Sequence, residues 1–364
     1  MSATQGDLPS PTPDAPLLEA PLLEAVLLEV RALTKTFPVR QGLIDRLRGR
    51  PPRAVQALID VHLRVRRGET LGIVGESGCG KSTLARTLVR LYDADNGVVR
   101  YGGQDVLELE GAALRGYHRR VQMIFQDPFS SLNPRMTVGQ VLREALSVHH
   151  MRPAGEIPGR VSELLSLVGL PPEAAGRLPH EFSGGQRQRV GIARALALEP
   201  ECLIADELVS ALDVSVQAQV VNLLLDLQDR LGLTVLFVAH DLRLVRHLSH
   251  RVAVMYLGRV VEVADTDAVF TAPRHPYTQA LLAAAPTLDP SRRTAAPAIT
   301  GELPSPLAVP SGCAFRTRCP QAFGRCAVER PQLLNHGGEG EVACHLYDPG
   351  ELSAPGHAAG AAAP

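Results

Sequence analysis

An apolar run that ends in a glycine-rich loop constrains the fold more than any other feature of this sequence. Residues 69–75 read ETLGIVG, and residues 75–82 read GESGCGKS, which matches the pattern G-x-x-x-x-G-K-[ST]. Glycines let consecutive backbone N–H groups surround a phosphate, and the helix that follows directs its positive N-terminus at the same anion. A chance match in a glycine-rich turn is the alternative. The apolar strand before the loop and the helical pattern KSTLARTLVRLY after it favour a phosphate-binding loop.

Length and charge exclude some classes of protein. The chain has 364 residues, enough for one large domain with an appendage or for two domains. Its 37 Lys and Arg residues against 38 acidic residues argue against a protein that works through bulk attraction to nucleic acid. No run approaches the roughly 18 apolar residues of a membrane-spanning helix, and the N-terminus lacks the pattern of a secretory signal. We therefore expect a cytosolic chain whose membrane contact is made through a partner.

Alternating apolar runs and helical patterns predict an α/β fold with helices on the faces of a sheet. Further strands are predicted over 201–206, 233–240 and 252–258, with a helix over 216–232. The repeat PLLEA-PLLEA-VLLEV contributes a strand only from its last unit. The predicted organisation is a disordered segment 1–26, a nucleotide-binding domain 27–270 with a helical insert over about 127–200, an irregular cysteine-bearing region 271–348, and a flexible tail 349–364.

Two acidic residues complete the predicted phosphate chemistry. Asp206 ends the apolar run ECLIAD, where its carboxylate can support a Mg²⁺ ion, and Glu207 follows in a position to activate water. Lys81 is expected to reach the β- and γ-phosphates, and Ser82 to bind the same Mg²⁺. An isolated apolar run that ends in acids is weak evidence, but together with the loop it predicts a nucleotide triphosphatase.

At this point the chain resembles the ATP-binding subunit of an ABC transporter, because FSGGQRQR (182–189), IFQDP, SALD and VLFVAHD also match that family. The resemblance implies a P-loop NTPase fold, with a RecA-like core, a β subdomain and a helical insert. It implies that Ser183, Gly184 and Gly185 bind the γ-phosphate held by an opposite subunit. It further implies that Asp213 lies at the dimer interface and that His240 orients the γ-phosphate and the attacking water.

The site implied for ATP and Mg²⁺ draws on most of the chain. Phe37 is the aromatic expected to stack on adenine, and Gln126 is expected to touch Mg²⁺ and to sense the membrane partner. The complete set of nucleotide-binding residues is Phe37, Gly75, Glu76, Ser77, Gly78, Cys79, Gly80, Lys81, Ser82, Thr83, Gln126, Ser183, Gly184, Gly185, Gln186, Asp206 and Asp213. Glu207 and His240 are the expected catalytic residues, and Ser82, Gln126 and Asp206 are the expected Mg²⁺ ligands.

One position departs from the family pattern, in which proline usually follows the two acids. This chain has Leu208 there. Losing the proline frees the backbone φ angle and restores an N–H group, which would loosen the loop after Glu207 without removing any group that contacts phosphate.

The segments PRHPYTQALLAAAP (273–286), GELPSPLAVPSGCAFRTRCP (301–320) and FGRC resemble the C-terminal region of oligopeptide/dipeptide importer ATPases, closest to the second ATPase subunit of a dipeptide importer. This resemblance implies work at the cytoplasmic face of the membrane with a paralogous ATPase, two permeases and, indirectly, an extracytoplasmic solute-binding protein. A nickel or other solute importer uses the same motor and stays an alternative. A soluble ABC ATPase is a weaker one, because those proteins usually carry two cassettes or a long coiled-coil insertion.

Four of the six cysteines fall close together near the end of the chain, at Cys313, Cys319, Cys326 and Cys344. In a reducing compartment such a group is more often a metal or cluster site than a disulfide framework. Four thiolates suit a [4Fe–4S] cluster, which the family resemblance also implies. Zinc usually takes closely spaced cysteine pairs, so we rank it second, and free thiols third.

Overall fold

The computed structural model describes residues 26–39, 53–125, 132–210, 212–284, 301–337 and 340–348. Residues 1–25, Gln126 and the tail 349–364, for which the sequence makes predictions, lie outside these ranges. No helix within the described ranges combines the length and the apolar character needed to cross a membrane.

A seven-stranded mixed sheet forms the centre of the molecule, in the order β11-β10-β9-β3-β8-β7-β6. Strands β9, β3, β8, β7 and β6 pair in parallel, and β10 and β11 add antiparallel at one edge. Every residue of β3, β7 and β8 is buried, as expected for continuous apolar runs covered on both faces. The strands are β3 (Thr70–Val74), β6 (Val121–Ile124), β7 (Cys202–Asp206), β8 (Thr234–Val238), β9 (Arg251–Tyr256), β10 (Arg259–Asp265) and β11 (Glu341–Val342).

A four-stranded antiparallel sheet, in the order β2-β1-β4-β5, lies against the central sheet. Its strands are β1 (Val26–Pro38), β2 (Ala54–Arg66), β4 (Asn96–Tyr101) and β5 (Gln104–Asp105). One apolar cluster joins the two sheets: Leu58 and Val61 of β2 pack with Ile73 of β3 and Leu236 of β8. Strand β1 includes the last unit of the N-terminal repeat, as the sequence predicts.

Helices cover the central sheet. They are α1 (Lys81–Leu88), α2 (Gly111–Arg120), α3 (Val138–Val148), α4 (Ile157–Leu167), α5 (Gly184–Leu196), α6 (Val214–Leu231), α7 (Leu242–Leu248), α8 (Thr266–Thr271), α9 (Pro276–Ala283) and α10 (Gly324–Val328). Residues 132–200, all of which are described, contain helices and no strand.

The cysteine-bearing region packs directly on the nucleotide-binding core. Strand β11 pairs with β10, where Val342 lies opposite Glu262. Phe315 is buried against Tyr256 of β9 and Tyr277 of α9, with ring centroids 5.2 and 5.4 Å away. The sequence becomes irregular and cysteine-bearing after residue 270, but the hydrophobic core continues into this region without a break.

Candidate functional site

The glycine-rich loop connects β3 to α1, and its path requires glycine at both ends. Gly75 has a φ angle of 152° and Gly80 one of 107°. A Cβ atom at Gly75 would lie 2.2 Å from the carbonyl oxygen of Met255, and one at Gly80 would lie 2.3 Å from that of Ala57. Backbone thus crowds the loop from behind, while the intervening Ser77 and Gly78 are exposed. The loop's accessible face is the one on which a phosphate would lie.

Lys81 is held inside this loop. Its side chain is buried, and Nζ donates hydrogen bonds to the carbonyl oxygens of Gly75 at 2.8 Å and Glu76 at 3.1 Å. No acidic residue lies in the first turn of α1 to cancel its positive end. The ammonium group and the helix N-terminus together place positive charge where an anionic ligand would bind.

Ser82, in the first turn of α1, forms a hydrogen bond with Asp206, the last residue of β7. Ser82 Oγ donates a hydrogen bond to Asp206 Oδ1 at 2.8 Å, and Arg86 Nη2 lies 3.9 Å from Oδ2. Asp206 is fully buried, and burial raises the pKa of its carboxyl group, against the opposing effect of the Ser82 hydrogen bond. Among the residues that the structure describes, none forms a hydrogen bond with its Oδ2 atom.

This pair has the chemistry of a Mg²⁺ site. Mg²⁺ prefers oxygen ligands and is usually bound through one or two protein groups plus substrate phosphates and water. An orphaned carboxylate oxygen beside a serine hydroxyl fits that requirement. Among the described residues no group of three or more His, Cys, Asp or Glu side chains is arranged to hold a metal ion, which a site with so few protein ligands does not need.

Glu207 and His240 come together because β7 and β8 are neighbours. Glu207 directly follows β7, and His240 lies two residues after the end of β8. The Glu207 N–H donates to the Val238 carbonyl at 2.9 Å, and Glu207 has a left-handed φ angle of 48°. His240 Nδ1 lies 4.0 Å from Glu207 Oε1, which is longer than a hydrogen bond. The His240 side chain is more than half exposed, with 58% of its area accessible.

The loop after Glu207 is anchored despite the missing proline. Leu208 is buried with 1% of its area exposed and belongs to the main hydrophobic cluster. The Glu207 carbonyl accepts hydrogen bonds from the backbone N–H and the hydroxyl of Ser210, at 3.2 and 3.1 Å. The expected loosening is therefore opposed by the packing of the Leu208 side chain in this cluster.

Ser183 caps helix α5 through a reciprocal pair of hydrogen bonds. Its hydroxyl accepts from Gln186 N at 3.3 Å, and its own N–H donates to Gln186 Oε1 at 3.0 Å. A Cβ atom at Gly185 would lie 2.3 Å from Val216 of α6, and one at Gly184 would lie 3.0 Å from Leu212. Small residues thus let the first turn of α5 pack against the segment that contains Asp213, the N-cap residue of α6.

Phe37 lies at the end of β1, in an edge-to-face contact with Tyr92 at 5.3 Å between ring centroids. The ammonium group of Lys35 lies 5.4 Å from the Phe37 centroid. Tyr92 in turn accepts a hydrogen bond from Arg86 Nη1 at 3.3 Å, so this aromatic pair is linked to the residue beside Asp206. Sequence reasoning did not single out Tyr92, which the pattern presents only as the end of a helix.

The four C-terminal cysteines line one cavity, together with His275 and Pro276 at the start of α9. Cys313 N donates a hydrogen bond to the Cys326 carbonyl at 2.9 Å, which joins the backbone segments that carry these two cysteines. Burial, opposed by a backbone hydrogen bond and reinforced by the neighbouring thiols, raises the pKa of Cys319 to about 11 and that of Cys344 to about 12. The four side chains therefore line the same cavity. Among the described residues, however, no group of three or more His, Cys, Asp or Glu side chains is arranged to hold a metal ion.

Two residues of the C-terminal region reach the glycine-rich loop, and sequence reasoning missed both. Arg318 forms a two-pronged ion pair with Glu76, at 2.8 and 2.9 Å. The Tyr277 hydroxyl accepts a hydrogen bond from Glu76 N at 2.8 Å. Both residues stand in segments that resemble the importer C-terminal region, but nothing in the sequence places them at the loop.

A phosphate-binding loop after a parallel strand, with an acid pair at the end of a strand in the same sheet, is the arrangement of a P-loop nucleoside triphosphatase. The family model for ABC transporters matches residues 58–210, and that for the oligopeptide/dipeptide transporter C-terminal region matches residues 261–326. The chain belongs to the oligopeptide/dipeptide branch of the ABC transporter ATP-binding subunits.

Relatives and solved structures agree with this assignment. AppF, an oligopeptide transport ATP-binding protein of Bacillus subtilis, is 50% identical over 321 residues, which cover 87% of this chain and 96% of AppF. A protein of Sinorhizobium fredii described as a probable peptide ABC transporter ATP-binding protein is 52% identical over 320 residues, covering 88% and 90% of the two chains. A dimeric ATP-binding cassette solved with ADP and Pi has a TM-score of 0.58 and 28% identity, over 66% of this chain and 99% of that one.

The backbone crowding behind the loop predicts different costs at two of its glycines. Gly80→Ala must accommodate both a left-handed φ angle and a clash with backbone, so we expect it to lower the free energy of unfolding by about 3 kcal/mol. Gly78→Ala is the matched control, because its φ angle of 79° is also left-handed but no atom lies within 4 Å of the added Cβ. We expect about 1 kcal/mol there. Denaturant unfolding without nucleotide measures both, and equal losses would contradict the crowding argument.

Proposed function

We propose that this ATPase energises the import of dipeptides or oligopeptides, working as a peripheral subunit at the cytoplasmic face of the cell membrane. The observation that carries the proposal is the presence of two elements in one chain. One is the nucleotide site built around Lys81 and Asp206, and the other is the C-terminal region matched over 261–326 by the oligopeptide/dipeptide family model. Relatives that share both elements are named for oligopeptide or peptide transport.

Within the site, the loop from Gly75 to Thr83 is proposed to bind the ATP phosphates through its backbone N–H groups and Lys81. Ser82 and Asp206 would hold Mg²⁺, with Gln126 as a further ligand, and the bound ion would neutralise charge on the β- and γ-phosphates. Phe37 is proposed to stack on adenine at the edge of β1. The Lys81 ammonium group lies inside the loop, bonded to two of its carbonyl oxygens, which supports its proposed contact with a phosphate.

Glu207 is proposed as the base that positions and deprotonates the attacking water. Its carboxylate lies next to His240 and at the end of the strand that bears Asp206, so it is directed at the same edge of the sheet. His240 would orient the γ-phosphate and the water from the neighbouring strand. The left-handed backbone at Glu207 is the kind of local strain that is found at functional positions.

The segment FSGGQRQR (182–189) is proposed to serve a second subunit. Ser183 is exposed, and the backbone of Gly184 and Gly185 opens the first turn of α5, where helix N–H groups lack intrahelical partners. Such donors suit the γ-phosphate of a nucleotide held by an opposing loop. The partner is proposed to be a paralogous ATPase that meets this chain near Asp213. Two permeases, and through them a solute-binding protein, complete the assembly.

The proposed division of the chain assigns 27–270 to the nucleotide-binding domain, with its helical insert at about 127–200, and 271–348 to the oligopeptide/dipeptide C-terminal region. Within that region we propose that Cys313, Cys319, Cys326 and Cys344 hold a [4Fe–4S] cluster. Support comes from the donor set, since four thiols line one cavity. Their raised pKa values mean that metal binding must displace the thiol protons.

Replacement of the proposed base tests the catalytic assignment. We expect Glu207→Gln to lower ATP turnover by roughly 100-fold or more while ATP binding is retained, because the amide keeps the shape but cannot accept the proton. Steady-state phosphate release and equilibrium binding of a fluorescent ATP analogue measure the two properties. Glu201→Gln, at an acidic residue that pairs with Arg67 and Tyr101, is the matched control and should keep wild-type turnover. Normal hydrolysis by Glu207→Gln would contradict the assigned role.

The transported solute can be tested on the assembled transporter. We expect the tagged full chain, purified from native membranes in detergent, to bring with it two permeases and a second ATPase. After reconstitution with the corresponding binding protein, ATP hydrolysis should rise when dipeptides or oligopeptides are added. A transporter that responds to a nickel complex and to no peptide would contradict the peptide proposal, as would a chain recovered without permeases.

The cysteine cavity makes a prediction about metal content. Anaerobically purified protein should be brown, with about four iron atoms per chain and visible absorption from thiolate-to-iron charge transfer. Cys326→Ser should lose both signals, whereas Cys202→Ser, which changes a buried cysteine of β7, should keep them. A colourless anaerobic preparation with stoichiometric zinc would show that the thiols serve a different metal, and the cluster proposal would be wrong.

A further inference from the structure

Glu76, the second residue of the glycine-rich loop, is bound by a side chain 242 positions later in the chain. Arg318 Nη1 and Nη2 donate to the two carboxylate oxygens of Glu76, at 2.8 and 2.9 Å. This parallel arrangement is the strongest geometry for an arginine–carboxylate pair. The Arg318 side chain is only 7% exposed and that of Glu76 22%, so the pair is largely shielded from water and salt.

The backbone of Glu76 is fixed from the same side. Its N–H donates to the hydroxyl of Tyr277, which is fully buried on α9. The Tyr277 ring packs against Tyr256, at 4.7 Å between centroids, and against Phe315, which lies three residues before Arg318. The two C-terminal segments that hold Glu76 are thus packed on each other.

These contacts act on the phosphate site itself. The Glu76 carbonyl accepts hydrogen bonds from Cys79 N and Lys81 Nζ, so the position of Glu76 sets the curvature of the loop and the place of the lysine. A carboxylate in a loop that binds a polyphosphate would also repel it. Arg318 cancels that charge, and its two donors fix the position of the carboxylate.

We infer that Arg318 and Tyr277 are positioning residues of the ATP site, so that the cysteine-bearing region is a working part of the phosphate-binding loop. The inference rests on the proposed function only in requiring that nucleotide binds at this loop. It requires neither a metal in the cysteine cavity nor a particular transported solute.

Nucleotide binding to the purified full chain tests this inference directly. Arg318→Gln should weaken binding of a fluorescent ATP analogue roughly tenfold, because the unpaired Glu76 carboxylate is left beside the phosphates. Arg318→Lys keeps the charge but not the two-pronged geometry, so it should fall between wild type and Arg318→Gln. Tyr277→Phe should weaken binding roughly threefold or more, since it leaves the Glu76 N–H without its acceptor.

A double mutant separates positioning from general damage. Glu76→Gln combined with Arg318→Gln removes both charges, and it should recover most of the affinity lost in Arg318→Gln alone. In the assembled ATPase, Arg318→Gln should raise KM for ATP far more than it lowers kcat, because Glu207 and His240 are untouched.

Arg325→Gln is the matched control. Arg325 also directly precedes a cysteine, and it forms ion pairs with Glu329 and Asp348 of the same region. It should leave ATP affinity unchanged. If wild type binds the analogue and Arg318→Gln binds it equally well, or if Arg325→Gln weakens binding as much, the inference is wrong while the proposed function stands. If wild type itself does not bind, the proposed nucleotide site and the inference both fail.

Discussion

The hydrogen bond between Ser82 and Asp206 is the contact on which the nucleotide site depends. It joins the first turn of α1 to the end of β7, two elements 124 residues apart in the chain. Burying a carboxylate is costly unless it is hydrogen-bonded or paired, and Asp206 has one oxygen bound by Ser82 and the other orphaned. The parallel order β3-β8-β7 brings the two residues to the same edge of the sheet. The sheet thereby holds an unsatisfied acidic oxygen beside a loop built for phosphate.

Much of this arrangement could be predicted from local sequence. The loop, the buried strands and the acid pair each have a pattern that reflects a physical requirement: glycine where backbone crowds, apolar runs where both faces are covered, and acids where a parallel strand ends. Distance along the sequence did not matter there, because β3 and β7 each pair in parallel with β8 and therefore end at the same edge of the sheet. At that edge Ser82 contacts Asp206, and His240 lies 4.0 Å from Glu207.

Contacts that depend on how separate layers pack could not be predicted in this way. The edge-to-face pairing of Phe37 with Tyr92 joins a strand of the antiparallel sheet to the segment after α1. The ion pair of Arg318 with Glu76 joins an irregular segment to a loop. Neither has a periodicity or a spacing that reveals its partner. The same holds for Leu208, where backbone rules predict a looser loop, but burial of the side chain supplies an anchor that only the tertiary structure shows.

One buried carboxylate near the edge of the central sheet attaches the start of the C-terminal region to that sheet. Glu262 of β10 accepts hydrogen bonds from the backbone N–H groups of Arg274 and His275, at 2.7 and 3.0 Å, immediately before α9 begins. This fixes the direction of α9, which carries Tyr277 to Glu76. Pairing of β10 with β11 adds a second attachment at the same edge. The sequence predicts that the cysteine-bearing region is an appendage. In the structure this region contacts both the central sheet and the phosphate-binding loop. Phe315 packs the irregular segment before Arg318 against Tyr256 of β9 and Tyr277 of α9, and this packing supports the two-pronged geometry of the Arg318–Glu76 pair.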